Sequence, residues 1–394
     1  MKTASLDTVV AGHFCVDVIP ALPDSQSLAE LFSPGKLVNI GKAVISTGGP
    51  VSNTGLALIK LGMKTGLMAK IGDDFFGNGA RQLLKVWGAQ STLTVSPGES
   101  TSYTIVLAPP GIDRIFLHHP GANDSFGSDN IDYKAVASAR HFHLGYPPLM
   151  KRLYCDNGIE LVDIFKKVAA LGTTTSLDMS LPDPRSESGR IDWRPILSAL
   201  LPYVDIALFS AEESMFMLNR ARFDELREQA GTHDPLSAYT TRDFEWIGAA
   251  LLASGAKISV VKCGYRGMLL FTGDKISRPA AAPLGQADRW ARRALWNPAF
   301  VVEKIASATG SGDSSIAGFL AAFLRGRPPE ECLIIGCCAG GQNVQAYDAI
   351  SGIHSWDETL AMIPGWQKRS ENPGAGWRFD AGPRLWRRID DAGN

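Results

Sequence analysis

Short apolar runs and longer runs of helical period alternate along almost the whole chain, and this alternation restricts the fold more than any other feature. Residues 8–11, 67–71, 141–144, 174–177, 206–209, 258–262 and 268–271 read as strands. Between them, residues 51–61, 159–171, 196–201, 211–218, 247–253, 316–324 and 331–347 place apolar positions at helical spacing. A parallel strand is reached from its neighbour only through a crossover, usually a helix. The pattern therefore predicts an α/β fold with a mostly parallel central sheet and helices on both faces. Residues 37–46 and 103–118 are β-rich and fall outside the rhythm, with Pro109-Pro110-Gly111 as a turn that would let the second fold as a hairpin. They predict a small flap beside the main sheet. Residues 182–194, 220–243 and 277–297 read as surface insertions. From residue 355, Trp356, Trp366, Trp377 and Trp386 alternate with Gly, Pro and Arg, which reads as an extended strap over the body.

Composition narrows the partners. With 394 residues and 45% hydrophobic content, the chain can bury a large core. Formal net charge is −1 and no basic block occurs, so nucleic acid is not an expected partner. No run approaches the ~18 apolar residues of a membrane span, and residues 1–10 lack a long apolar leader. A soluble, cytoplasmic protein with no membrane partner is expected. The six cysteines make no C-x-x-C pair and read as reduced, mostly buried thiols. His141-Phe142-His143 would put two imidazoles on one face of a strand, but no third metal ligand lies nearby and the segment reads as sheet.

Ala308-Thr309-Gly310-Ser311-Gly312-Asp313 directly precedes a helix pattern striped by Ile316, Phe319, Leu320, Phe323 and Leu324. Two glycines let backbone N–H groups approach an anion, and the positive end of the helix points the same way. Asp313 beside such a nest repels a phosphate, at an energetic cost unless it takes a proton from the group that attacks the phosphate. A base for an alcohol, beside fixed dipoles for the charge on a transferred group, is what a phosphoryl transferase needs. Read alone, the same residues also make an ordinary loop with Asp at a helix start.

The surroundings favour chemistry. In open parallel sheets, ligands gather at the carboxyl ends of the strands. Asp178, Ser210, Glu213 and Lys262-Cys263-Gly264 all follow strand-like runs, and the 310–313 loop follows the run 300–305. Gly48-Gly49-Pro50-Val51-Ser52-Asn53 opens a helix that Gly62 ends. The glycine pair lets a substrate lie against the backbone, and Asn53 offers both donor and acceptor, though polarity at a helix start explains it equally well. Asp17, just beyond the first strand, adds acceptors of the kind that read neutral polyols. No Gly-x-x-x-x-Gly-Lys-Ser/Thr loop occurs, and Ser315 stands where a dinucleotide fingerprint has its third glycine.

These residues resemble a known family. Gly48-Gly49-x-x-x-Asn53, Leu61-Gly62 and Ile71-Gly72-Asp73-Asp74-Phe75-Phe76-Gly77 are similar to the N-terminal signature of the ribokinase-like carbohydrate kinases of phosphofructokinase-B type. Thr309-Gly310-Ser311-Gly312-Asp313 resembles the C-terminal signature, and Lys262-x-Gly264-x-x-Gly267 is also similar. The match in order and spacing runs from about residue 8 to 353. The resemblance implies one ribokinase-like kinase domain over 1–394, with a β-lid from about 14–46 and 99–121 over the sugar. The strap from about 355 follows. ATP would bind near the C-terminal signature, with Lys262, Gly264 and Thr309 as nucleotide contacts. By the same resemblance, Asp313 is the base and the amides of Gly310, Ser311 and Gly312 form the anion hole. Asp17, Gly48, Gly49 and Asn53 match positions that bind sugar hydroxyls. Glu213 matches the glutamate that influences Mg2+ and phosphate. A homodimer through the lid stays open.

Three positions depart from the family pattern. Ser210 stands for the Asn of the Asn-x-x-Glu motif, which weakens the Mg2+ implication. Ser307 stands where an Asp is frequent, which leaves K+ in doubt as a cofactor. Ser315 stands where Phe is usual, a change expected to alter packing. The leading expectation is ATP-dependent phosphorylation of a hydroxyl on a small sugar or related polyol. One alternative is a nucleoside kinase, with Tyr103, Phe116 and His118 available to stack on a base. Another is a catalytically weak sugar-binding regulatory protein, against which the intact Asp313 and glycine loop argue. A phosphorylated acceptor would need a cationic pocket, for which Lys36, Lys42 and Arg114 are candidates.

Overall fold

The computed structural model describes residues 5–23, 33–107, 115–274 and 287–393. Its centre is an 11-stranded sheet. Strands β1 (Leu6–Gly12), β4 (Thr65–Gly72), β5 (Gln90–Ser96), β8 (Ala139–Gly145), β9 (Thr174–Asp178), β10 (Ile206–Ser210) and β11 (Ile258–Lys262) pair in parallel in the order β5-β4-β1-β8-β9-β10-β11. The sheet continues antiparallel through β12 (Met268–Thr272), β13 (Ala294–Asn297), β15 (Leu385–Arg388) and β14 (Trp377–Asp380). A separate 4-stranded sheet has the order β3-β2-β6-β7, formed by β2 (Cys15–Ile19), β3 (Val44–Gly48), β6 (Tyr103–Leu107) and β7 (Ile115–His119). β1 leads into β2 through only two residues, His13 and Phe14.

The central strands bury both faces, which is why they read as unbroken apolar runs. Val9 and Ala11 of β1 join one apolar cluster, and Val10 joins the other. In β10, Ala207 and Phe209 face the first cluster, while Ile206 and Leu208 face the second. Helices Ile159–Ala170, Trp193–Leu200 and Thr241–Ala253 cover one face. Helices Pro50–Lys60, Ser311–Leu324 and Pro329–Asn343 cover the other. Among the described residues, no helix is long and apolar enough to cross a membrane.

Several segments differ from expectation. Residues 220–243 are not simply an insertion: Arg220–Ala230 is a helix whose Phe223, Leu226 and Ala230 are buried, and Asn219 caps it by accepting the Arg222 N–H. Its polar majority hid that stripe. Trp193, inside the 182–194 segment, starts a helix and is buried. Of residues 277–297, the last four are β13, wholly buried, while 275–286 lie outside the described residues. Residues 300–305 form no strand, since only Phe300 bridges, to Lys368. The helix read over 331–347 ends at Asn343. In the 37–46 segment, pairing begins at Val44. β6 and β7 pair as an antiparallel hairpin, and the Pro109-Pro110-Gly111 turn lies outside the described residues. Helix Phe75–Val86, capped by Asp74, has no counterpart in the sequence reading.

The segment from residue 355 is more regular than an extended strap. It contains helix Trp356–Met362 and the β14–β15 hairpin that extends the main sheet. Its tryptophans anchor it: Trp356 lies 4.0 Å from the Arg325 guanidinium, Trp366 packs 4.9 Å from Phe300 and Trp377 6.0 Å from Trp296. Arg293 and Arg387 tie β13 and β15 to Asp391, and Arg387 also reaches Glu330 and Asp380.

Trp296 is fully buried in β13, edge-on to Phe244 and Trp377, with its indole N–H donated to the Arg266 carbonyl. Trp296→Ala should therefore destabilise the fold by about 3–5 kcal/mol. Equilibrium urea unfolding followed by circular dichroism reads this directly. A loss below about 1 kcal/mol would mean that this strand is not part of the cooperative core.

Candidate active site

The loop 308–313 ends in helix Ser311–Leu324. Gly310 caps the helix at φ +73°, and a Cβ there would lie 2.4 Å from that of Ala349. Both the left-handed backbone and the packing call for glycine. Gly312 and Asp313 follow in the first turn, at the positive end of the helix. Asp313 is 2% exposed. Its Oδ2 accepts from Asn53 Nδ2 and from the Tyr146 hydroxyl, each at 2.9 Å, and its Oδ1 accepts from Thr54 Oγ1 at 3.3 Å. Burial pushes the Asp313 pKa above the ordinary 3.8, against the pull of Asn53, Lys262, Tyr146 and Thr54.

Beside it lies a charge cluster at the carboxyl ends of β9, β10 and β11. Lys262 Nζ is 2.6 Å from Asp178 Oδ1, and a Cβ on Gly312 would lie 3.6 Å from the same nitrogen. Burial depresses the Lys262 pKa, but Asp178, Glu213 and Asp313 outweigh it and hold the ammonium charged. Burial raises Asp178, opposed by Lys262 and reinforced by Glu213 and Asp313. Glu213 is likewise raised, first by burial. One of its oxygens accepts the Ser210 N–H at 2.6 Å, while Ser210 Oγ accepts the Glu213 N–H at 3.1 Å. Three carboxylates thus face one lysine. Asp178 Oδ2 is buried without a hydrogen-bond partner among the described residues.

On the other side of Asp313 stands the Gly48-Gly49 corner. A Cβ on Gly48 would lie 2.4 Å from Asp17 Oδ2, so the missing side chain makes room for the Asp17 carboxylate. Gly49 has φ +81°, and a Cβ there would lie 2.6 Å from His13 Nδ1. Asn53 Oδ1 is buried without a partner among the described residues. Asp17, Gly48, Gly49, Asn53 and Asp313 are therefore linked through direct neighbours.

A cavity of about 320 Å³ opens on the far side of the glycine loop. Lys262, Gly264, Ser311, Gly312, Phe300 and Gly341 are among its walls. Thr309 is not: its carbonyl accepts from Asn343 Nδ2 at 2.8 Å and its N–H is donated to Ser307 Oγ at 3.0 Å. Ser315 donates to the Ser311 carbonyl at 2.9 Å and packs over Gly340. Among the described residues, no three His, Cys, Asp or Glu side chains form a ready metal cage, although one Asp178 oxygen lies buried without a hydrogen-bond partner beside Lys262. Both ring nitrogens of His141 are hydrogen-bonded, to Thr8 and Ser176. Lys36 and Lys42 are exposed, and Arg114 lies outside the described residues. Tyr103 stacks on Phe76 at 5.0 Å, Phe116 is exposed, and His118 contacts His13.

Tyr146, Thr54 and His13 were not singled out from the sequence. Tyr146 follows directly on β8, so the rule that ligands gather at strand ends could have found it, as it found Asp178. Its left-handed φ of +63° and its contact across 167 residues have no local signature.

The profile of the pfkB family carbohydrate kinases matches residues 6–356. An uncharacterized sugar kinase of Archaeoglobus fulgidus is 24% identical over 299 residues, covering 76% of this chain and 98% of that protein. A cytidine kinase of Thermococcus kodakarensis is 24% identical over 332 residues, covering 84% of this chain and 93% of that protein. Among solved structures, the ribokinase of Arabidopsis thaliana complexed with ribose and ATP superposes with a TM-score of 0.66 at 18% identity, covering 91% of this chain and 98% of that one. This likeness carries the fold: a ribokinase-like α/β architecture.

The Tyr146 phenol donates to the charged form of Asp313, so removing it disfavours that form. Tyr146→Phe should raise the Asp313 pKa further. A carbon-13 titration of the aspartate carboxyls, assigned with Asp313→Asn, measures it. An unchanged or lowered value would show that the phenol does not hold the carboxylate.

Proposed function

The chain belongs to the pfkB carbohydrate kinase family, and on that premise we propose that it transfers the γ-phosphoryl group of ATP to a hydroxyl of a small sugar or related polyol, with Asp313 as the base. The observation that carries this reading is the position of Asp313. It is buried at the positive end of a helix, between the acceptor-side group Asn53 and the cavity-side group Lys262. In the proposed reaction the acceptor hydroxyl gives its proton to the Asp313 carboxylate as its oxygen bonds to the γ-phosphorus. The bond to the leaving ADP oxygen breaks in line. First-turn amides and the helix dipole stabilise charge on the transferred group. Lys262 exchanges some of its contact with Asp178 for phosphate oxygens. ATP lies along the cavity of about 320 Å³ lined by Gly264 and Gly312. Asp17, Gly48, Gly49 and Asn53 bind the acceptor, and the four-stranded sheet covers it as a lid.

The surplus of carboxylates around Lys262 opposes a polyphosphate unless a divalent ion accompanies it. Mg2+ would be held by Glu213 and Asp178, largely through water, and would neutralise the phosphate oxygens. A nucleoside is the second acceptor class; the support is the cytidine kinase relative and the Tyr103 and His119 rings, 5.4 Å apart in the lid.

The test is ADP release over a panel of D-fructose, D-ribose, sugar acids, cytidine and adenosine. Asp313→Asn should cut turnover 10²–10⁴-fold, roughly 3–5 kcal/mol of barrier, and leave nucleotide binding intact. Because burial raises the Asp313 pKa, kcat/KM should fall on the acid side at a pH above the ordinary carboxylate value of 3.8. Turnover by the Asn variant within a few-fold of the parent would remove Asp313 as base. A parent protein inert towards the whole panel would favour a regulatory role.

Glu213→Gln should raise the Mg2+ concentration needed for half-maximal rate. An unchanged Mg2+ dependence would reduce Glu213 to its capping bond with Ser210.

A further inference from the structure

A chain of side-chain contacts runs through the small sheet and ends beside the Gly48-Gly49 corner. The Cys15 thiol donates to Asp17 Oδ1 at 3.3 Å, and Thr104 Oγ1 donates to Cys15 Sγ at 3.6 Å. His118 Nδ1 lies 3.0 Å from Thr104 Oγ1, and His118 Nε2 lies 3.4 Å from His13 Nε2. The Thr104 hydroxyl has one proton. If Cys15 receives it, Thr104 must accept from His118 Nδ1–H. His118 Nε2 is then an acceptor, and His13 Nε2–H is its donor. The opposite direction gives up the bond to Cys15 and makes one contact fewer. The direction that uses every contact leaves His13 Nδ1 as a bare lone pair.

His13 is 3% exposed, and its Nδ1 has no hydrogen-bond partner among the described residues. A buried, unpaired acceptor costs about 1–3 kcal/mol. Such groups need a reason to persist. The atom sits against Gly49, where a Cβ would come within 2.6 Å of it. The His13 ring is 6.2 Å from that of Tyr146, which donates to Asp313. Asn53 Oδ1, one helical turn beyond Gly49, is a second buried acceptor without a partner among the described residues. Asn53 also donates to the Asp313 carboxylate, and Lys262, the cation that acts on that carboxylate, is bound to Asp178. Both unpaired atoms call for donors, and among the described residues no cation is bonded to either.

We propose that His13 determines acceptor specificity: its Nδ1 lone pair accepts a hydrogen bond from a hydroxyl of a neutral, unphosphorylated acceptor, and the contacts from Asp17 through Cys15, Thr104 and His118 fix that tautomer. This rests on the kinase reading above. Protonating His13 would turn the acceptor into a donor. Its burial first, and His118 second, hold the ring neutral well below the ordinary imidazole range.

Two substitutions separate binding from mere packing. In His13→Asn the amide oxygen can stand where Nδ1 stood. In His13→Gln the amide nitrogen can keep the Nε2 contact to His118, but the Nδ1 acceptor is gone. Steady-state kinetics over D-fructose, D-ribose, cytidine, fructose 6-phosphate and ribose 5-phosphate reads the outcome. His13→Gln should raise the KM of the preferred acceptor about tenfold or more, with the KM for ATP unchanged, while His13→Asn stays within about threefold of the parent. The phosphorylated sugars should be poor acceptors of the parent. A Gln variant with the parental KM, equal impairment of both variants, or preference for a phosphorylated sugar would overturn the proposal. Long-range proton–nitrogen NMR on the free protein, at neutral to alkaline pH, needs no substrate. It should show His13 Nδ1 unprotonated, and a protonated Nδ1 would overturn the assignment. If the parent turns over no acceptor, the kinase reading fails, and the nitrogen measurement still decides the tautomer.

Discussion

The burial of one carboxylate organises this molecule. Asp313 is withdrawn from water at the start of a helix, and it is tolerable there only because donors converge on it from separate parts of the chain. Asn53 and Thr54 come from the first turns of helix Pro50–Lys60, and Tyr146 from the end of β8. The helices that carry Asn53 and Asp313 lie on the same face of the sheet and share one apolar cluster. Their starts must therefore stay in register to within a hydrogen bond. The sheet, its crossovers and the tight glycine corner serve that register. The burial that makes the carboxylate costly also raises its pKa, and on the proposed reading that shift suits a base for an alcohol.

The second constraint is the imbalance of charge around Lys262. Asp178 and Glu213 add to Asp313, and a single ammonium answers them. In a low-dielectric site such an excess repels another polyanion. On the proposed reading, a cation arriving with the anion would relieve the repulsion between that cluster and a polyphosphate at the helix terminus. The orphaned Asp178 oxygen and the solvent-spaced habit of Mg2+ agree with that account.

What the sequence made legible follows from range. The parallel strands were readable because both of their faces are buried, and the helix starts because glycine, proline and capping residues act locally. Asp313, Asn53 and Lys262 stood out because their types are unusual at such positions. β13 and β15 were not readable: each has four residues, and they pair with each other far apart in sequence, Leu295 opposite Arg387. Helix Arg220–Ala230 was hidden by its charged face. Tyr146 and His13 were invisible as site residues because their meaning lies in contacts across the fold. The tail's tryptophans signalled that something packs there, but not that it completes the sheet.

The departures from the family pattern bear on whether chemistry has been lost. Ser210, in place of Asn, forms a reciprocal cap with Glu213: each residue's backbone N–H is accepted by the other's side chain. Serine is among the residues best suited to that role, so the helix start survives the exchange. Glu213 Oε2 accepts the Ser210 N–H, and the same carboxylate faces the cluster it shares with Lys262. At the glycine loop, Ser307 accepts the Thr309 N–H and so shapes the turn that a carboxylate would otherwise have charged. Ser315 fills the space over Gly340 and bonds within its own helix. Each departure thus keeps the local architecture and changes, at most, the local charge. A chain that had drifted into a binding-only role would have no reason to maintain a buried carboxylate with three donors around it. The cost of keeping Asp313 where it is remains the strongest physical argument that it is used.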